Sequence, residues 1–190
     1  YYYKRKVHKL TFEPENGEKA QIVEGRVGAT LNVKQPVRKG YTFTGWTPEL
    51  PEKIPNEDVT YQAQWRKNSY LVQFVSEGTV LKEYTLSYGD AIPAQEKPTR
   101  EGYTFVSWDK NVPDTVSDEN VKKGKLVFKA VWKEIAYTIS YNLAGGSLPT
   151  GKTNPTTFTI NSKPMDLVQP KREGYTFEGW SGTDINGKDT

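Results

Sequence analysis

Gly40-Tyr41-Thr42-Phe43-Thr44-Gly45-Trp46 returns as Gly102-Tyr103-Thr104-Phe105-Val106-Ser107-Trp108, and again as Gly174-Tyr175-Thr176-Phe177-Glu178-Gly179-Trp180. Each copy has a proline four residues before its glycine (Pro36, Pro98, Pro170) and an arginine two before it (Arg38, Arg100, Arg172). The prolines stand 62 and then 72 residues apart. A repeat at that period marks a tandem array of small domains rather than one enzyme built around one active site.

Working outward from the signature, each unit opens with period-two apolarity. His8, Leu10 and Phe12, then Tyr70, Val72 and Phe74, then Tyr137, Ile139 and Tyr141 each share one face, as a half-buried strand requires. Glycine follows (Gly17, Gly78, Gly145-Gly146), then a second strand around 21–27, 83–88 and 157–160. This is the pattern of a hairpin. A stretch holding Leu31, Ile92 or Leu167 leads to the signature, either as a short helical turn or as an extended crossing. In the signature, tyrosine and phenylalanine share a face and tryptophan falls on the other. That implies cover on both sides or a bend at the glycine that turns the tryptophan inward. The closing strand alternates Val59, Tyr61, Ala63 and Trp65, and again Leu126, Phe128, Ala130 and Trp132.

These patterns place repeat domains at 7–66, 69–133 and 136–190, with 1–6 the tail of a preceding module or a linker. Helical periodicity is weak and prolines interrupt it, so the fold class is mainly β (small α+β), with at most one short helix per unit. Linkers of about four residues restrict rotation between neighbours, which predicts an extended array with limited flexing. The aromatics recurring at fixed slots are the expected core: Tyr41, Phe43, Trp46 and Trp65; Tyr103, Phe105, Trp108 and Trp132; Tyr175, Phe177 and Trp180. The closing tryptophan lies 19 and 24 residues after the signature tryptophan in the first two units, and only ten residues follow Trp180. The third unit therefore reads as truncated, and the chain as a piece of a longer protein.

Composition narrows the function. The chain has no cysteine, one histidine and one methionine, so disulfides and thiolate zinc sites have no material, and other metal or redox chemistry has little. The net charge of +3 comes mainly from Lys4, Arg5, Lys6 and Lys9, and no repeat carries the basic face of a nucleic-acid binder. No apolar run is long enough to insert in a membrane. Leu148-Pro149-Thr150-Gly151 is similar to a sortase signal but lacks the residue between proline and threonine, and it reads as a loop. Asp184 to Asp189 has the wrong spacing for a calcium loop. His8 aligns with Tyr70 and Tyr137, so it reads as a strand residue and not as a ligand or a base. No nucleophile elbow or phosphate loop is present. The chain is expected to be no enzyme and to hold no cofactor. Tyr84 and Tyr88, with Tyr1, Tyr2 and Tyr3, are the candidate ligand contacts, because twelve tyrosines exceed what small cores bury.

Pro-x-Arg-x-Gly-Tyr-Thr-Phe-x-Gly-Trp followed by Tyr-x-Ala-x-Trp resembles the Listeria–Bacteroides repeat, the internalin-type B repeat. Tyr137 to Gly146 is similar to that family's opening strand, Ser107 departs from its glycine, and Tyr1 to Lys4 resembles the last strand of a preceding module. The resemblance implies a small β-grasp-like fold for each repeat, in a secreted, cell-wall-attached or cell-surface protein of a Gram-positive or related bacterium. It carries no catalytic residues. The function expected is a non-catalytic repeat region of a surface adhesin, a semi-rigid stalk presenting an adhesive domain. The alternative is a binding module whose repeats contact host-cell protein or glycan directly. The chain is expected to be monomeric.

Overall fold

A computed structural model describes residues 1–121 and 123–182. Its contacts divide the chain into two units, Tyr1–Glu96 with Trp108–Ala130, and Lys97–Ser107 with Val131 onward. The division runs through the second repeat. Among the described residues there is no helix, and so none long and apolar enough to cross a membrane.

In the first unit, residues 7–67 make one four-stranded sheet from β1 (Val7–Glu13), β2 (Gln21–Arg26), β3 (Tyr41–Thr47) and β4 (Val59–Lys67), in the order β2-β1-β4-β3. β1 and β2 form an antiparallel hairpin, while β1 and β4 run parallel with Leu10 opposite Val59 and Phe12 opposite Tyr61. Alternation decides what is buried. Leu10 and Phe12 of β1 meet Tyr61 of β4, closed over by Leu31 and Ile54 from the loops. Leu31 lies in the stretch that left a helical turn or a crossing open, and the structure makes it an extended crossing.

The second repeat uses the same plan. β5 (Ser69–Ser76), β6 (Thr79–Ser87), β7 (Tyr103–Trp108) and β8 (Lys125–Glu134) take the order β6-β5-β8-β7, with β5 and β8 parallel. Val72, Phe74, Leu126 and Phe128 form its core with Tyr70, Ile92 and Val116. Phe74 stacks on Phe128 at 4.9 Å, as Phe12 stacks on Tyr61 at 5.0 Å.

The second unit holds β9 (Tyr137–Thr138) and β10 (Thr157–Phe158), a short antiparallel pair with Tyr137 stacked on Phe158 at 5.2 Å. Buried Asn154 does the work of a ladder here, accepting the Val168 amide hydrogen at 2.7 Å. Strand is thus shorter than the alternation predicts: Ile139 and Tyr141 lie outside β9, and Tyr175–Trp180 form no strand. The sheet order explains both. In the first two repeats the closing strand is central, pairing the opening strand on one side and the signature strand on the other. Among the described residues of the third repeat no segment takes that place, so neither neighbour has a ladder to join. The expected missing ending, like the polar loop at 184–189, falls on residues outside those described.

Candidate functional site

The signature builds a turn, a bulge and an aromatic cluster in that order. The turn is Arg-x-Gly-Tyr. Tyr41, Tyr103 and Tyr175 each donate their backbone N–H to the carbonyl three residues back, at Arg38, Arg100 and Arg172, all at 3.1 Å. The arginine then lies over the tyrosine ring it precedes, at 4.1, 3.7 and 3.8 Å from the centroid. A guanidinium over an aromatic face is held by the ring's quadrupole, which gives the recurrent arginine a physical role.

The bulge settles the question of faces. Phe43 pairs with Trp65 and Gly45 with Gln64, so Thr44 is the extra residue, and Trp46 then pairs with Ala63. One inserted residue moves Trp46 onto the same face as Phe43, and Gly45 takes the positive φ of 144° that this demands. Phe43 makes edge contacts with Trp46 at 5.4 Å and Trp65 at 5.5 Å, and Trp65 donates its indole N–H to the Pro14 carbonyl at 2.9 Å. Phe105 meets Trp132 at 5.7 Å, and Phe177 meets Trp180 at 5.5 Å.

Burial distributes differently from the sequence expectation. Tyr41, Phe43, Trp46, Trp65, Tyr103, Phe105, Trp108, Trp132, Phe177 and Trp180 are half-buried, and Tyr175 is exposed at 66%. The fully buried positions are instead the inward residues of the central parallel pair, where β-sheet neighbours lie on both sides, together with Val116 from a loop. The signature strand is an edge strand, so its aromatics cover the core without being enclosed by it.

The signature glycine has a second use that the sequence did not reveal. In the first unit, the Tyr88 ring, just past the end of β6, lies against Gly40 so closely that a β-carbon there would fall within the ring. Asn68, in the linker, donates its backbone N–H to the Gly40 carbonyl at 2.9 Å and accepts that of Tyr88 at 2.8 Å. Asp118 secures this joint. Its carboxylate accepts the Gly40 N–H at 2.8 Å, the Tyr70 hydroxyl and the Asn68 side-chain amide. The Tyr70 hydroxyl, with the other donors, holds the Asp118 carboxyl below its ordinary range. Lys39 pairs with Glu119 at 2.7 Å on the exposed rim.

The second unit contains the same joint in different chemistry. Ile135 donates its backbone N–H to the Gly102 carbonyl at 2.9 Å, and Ile160 lies over Gly102 where Tyr88 lies over Gly40. The lock is an amide: the Asn161 side chain donates to the Tyr103 hydroxyl and to the Glu134 carboxylate, both at 2.6 Å. Hydrogen bonds from Thr159 and Asn161 lower the Glu134 carboxyl's pKa. Strand register makes the correspondence residue by residue, with Asn68 matching Ile135 and Tyr88 matching Ile160. The joint is therefore a recurring device: the next repeat's opening hairpin seats on the preceding signature glycine.

The remaining candidates are ordinary. His8 Nδ1 lies 2.9 Å from Asp58, which also accepts the Lys9 backbone N–H. Those two hydrogen bonds, the backbone one first, lower the Asp58 pKa. Among the described residues no group of carboxylate or histidine side chains has the arrangement of a metal site. Tyr84 and Tyr88 are half-buried against the second core. Tyr84 packs edge-on to Phe74 at 6.4 Å and Tyr88 lies against Gly40. Tyr1, Tyr2 and Tyr3 are fully exposed. Leu148 to Gly151 enters a turn closed by the Lys152 N–H on the Pro149 carbonyl at 3.0 Å.

Comparison with known proteins accords with this geometry. The family model for the Listeria-Bacteroides repeat domain matches residues 8–64, 70–130 and 137–189. The chain is 31% identical over 159 residues to a protein of Evansella cellulosilytica described as a Gly-rich membrane protein, covering 76% of this chain and 18% of that one. It is 26% identical over 187 residues to a second membrane-protein relative from the same organism, covering 92% and 28%. It is also 34% identical over 94 residues to Internalin H of Listeria monocytogenes, covering 43% and 17%. The chain thus spans less than a third of the length of each of these relatives.

Proposed function

Because the chain belongs to the Listeria-Bacteroides repeat family, we propose that it is the non-catalytic repeat region of a bacterial surface protein and acts as a semi-rigid spacer that presents an adhesive domain. The observation that carries this reading is the joint. A flexible string of beads needs only linkers. Here each linker amide is hydrogen-bonded to the signature glycine, and the following hairpin is packed on that glycine and locked by Asp118 or Asn161. Ordering those groups costs conformational entropy, and holding orientation between neighbours is what such contacts supply. Internalin and membrane-protein relatives support placement at the cell surface or envelope. The β2-β1-β4-β3 order around a parallel central pair supports the β-grasp-like reading, with an extended crossing where a helix would lie.

The test is functional and uses the parent protein. Deleting the region or changing the number of repeats is expected to alter adhesion through reach alone, while substitutions of exposed residues outside the joints leave it unchanged. Saturable binding of the 190-residue chain itself to host cells, matrix protein or a glycan panel at physiological salt would replace the spacer reading with that of a binding module.

A further inference from the structure

Beside the loop that joins β7 to β8, the second repeat has an open cavity of about 760 Å³ lined by Lys110, Lys123, Lys125, Val127 and Phe128, among others. Its lysines are not part of the repeat's plan. Counted from the signature tryptophan and from the closing strand, they stand where the first repeat has Pro48, Asn56 and Asp58. The same sheet forms there without them, so folding does not account for the charge. None of the three makes an ion pair among the described residues, and no carboxylate is among the described residues that line the cavity. Asp109, Asp118 and Glu119 of the same loop are engaged with the Lys129 N–H, the Gly40 joint and Lys39. The Lys110 ammonium lies 5.2 Å over the ring of Phe128, which also stacks on Phe74. Positive charge is thus held over an apolar floor.

The main chain adds a second observation. Leu71 donates its N–H to the Gly124 carbonyl. The parallel register then turns the main-chain groups of Leu126 and Phe128 toward β5, and those of Val127 and Lys129 away from it. Lys129 is met on that side: its N–H reaches the Asp109 carboxylate and its carbonyl accepts the Asp109 N–H, both at 2.8 Å. β7 ends at Trp108, so half-buried Val127 has no such partner among the described residues. A donor and an acceptor are left side by side at the cavity. One residue of an extended peptide satisfies both. A phosphate or sulfate chain offers acceptors alone and would leave the Val127 carbonyl unmet. We propose that this cavity binds an extended acidic segment of a partner protein, which pairs with Val127 and sets its carboxylates among Lys110, Lys123 and Lys125. A spacer can carry such a cleft, so the inference does not rest on the spacer reading.

The experiment titrates a labelled Glu-Val-Glu-Val-Glu peptide into the intact 190-residue chain by fluorescence anisotropy, with hydrogen exchange read on the complex. Saturable one-to-one binding is expected, with slower exchange at the Val127 amide. It should weaken as salt is raised from about 0.1 to about 1 M, where the screening length falls from ~10 to ~3 Å. Lys123 and Lys125 are exposed, and the double variant Lys123→Glu with Lys125→Glu is expected to bind at least about 10-fold more weakly. A peptide N-methylated at its central amide, tested on the unaltered chain, is expected to lose about 5-fold, a comparison that misfolding cannot mimic. Absence of saturable binding, equal binding by the double variant, or equal binding of the methylated peptide would each overturn the proposal. So would displacement by a sulfated oligosaccharide or by inorganic polyphosphate with the Val127 amide unmoved, which would make the cavity a general anion site.

Discussion

Replacing Gly102 by alanine tests the joint with an internal reference, because Gly174 occupies the same turn and no described residue is seated on it. Gly102 has φ +74° and Gly174 φ +77°, so a β-carbon meets the same left-handed backbone penalty at both, about 1–2 kcal/mol. Their surroundings differ. At Gly174 the added carbon would meet no described residue within 4 Å, whereas at Gly102 it would lie 2.6 Å from Ile160 Cβ and 2.9 Å from Cδ1 and Cγ2. Carbon pairs rest at about 3.5–4.0 Å, and Cβ is fixed to the backbone, so the hairpin must retreat by roughly 1 Å. Ile160 is 40% exposed while seated, so its unseating forfeits only part of a full burial, about 1 kcal/mol. Weakening the hydrogen bond from Ile135 to Gly102 costs about another 1 kcal/mol. G102A should therefore lose about 2 kcal/mol beyond G174A, or roughly 30-fold in local opening at about 1.4 kcal/mol per tenfold. Hydrogen exchange at the Ile135 amide reads this directly: about 30-fold faster in G102A, unchanged in G174A. Equal effects of the two substitutions, or an unmoved Ile135 amide in G102A, would refute the argument that the glycine is a socket.

Three further outcomes are expected. The donors around Asp118 depress its pKa from the ordinary 3.8, so its contribution is fully present above that value and is lost as pH falls through the depressed one. Exchange at the Asn68 amide should quicken as the pH is lowered below about 4, after correction for intrinsic rates, and Asp118→Asn should show faster exchange at neutral pH with that acid dependence blunted. Phe74→Ala removes a fully buried ring stacked on Phe128 and should destabilise the second repeat by about 3–5 kcal/mol in urea unfolding. The same change at exposed Val106 should stay within about 0.5 kcal/mol. Arg38→Lys keeps the charge but loses the planar stack on Tyr41, and should cost about 0.5–1 kcal/mol, measured by the same unfolding.

The signature, its period and the alternation of the flanking strands were enough to read a mainly β tandem array. A repeated large side chain at a repeated position leaves few other solutions. Membership of the family, too, was visible in Tyr175 to Trp180 and its sister copies. What the linear pattern could not show was depth. Trp46 and Trp65 looked like core because they recur, yet Leu10, Phe12 and Tyr61 are the enclosed residues, since burial depends on which strand is central and order in the sheet is not order in the chain. The joint was hidden for a related reason. Gly40 meets Tyr88 and Asp118, 48 and 78 residues further on, and the corresponding residue over Gly102 is isoleucine, so no shared letter announces the partner. The fixed arginine two before the glycine was the available clue, and it reported the turn but not what sits on it. That Tyr84 and Tyr88 pack against the second core could not be read from a count of tyrosines.

The parallel pairing of β1 with β4 has a consequence for how such a domain resists being pulled. The chain enters the first repeat at Val7, the start of β1, and leaves at Lys67, the end of β4, and these two strands are neighbours running the same way. Tension applied between entry and exit draws them in opposite directions along their common axis. The ladder between Leu10–Glu13 and Val59–Gln62 is then loaded in shear, with its hydrogen bonds strained together instead of opened one at a time as in a peeled hairpin. The second repeat has the same pairing from Leu71–Val75 to Lys125–Lys129. Each sheet thereby sets its strongest direction along the line of the chain.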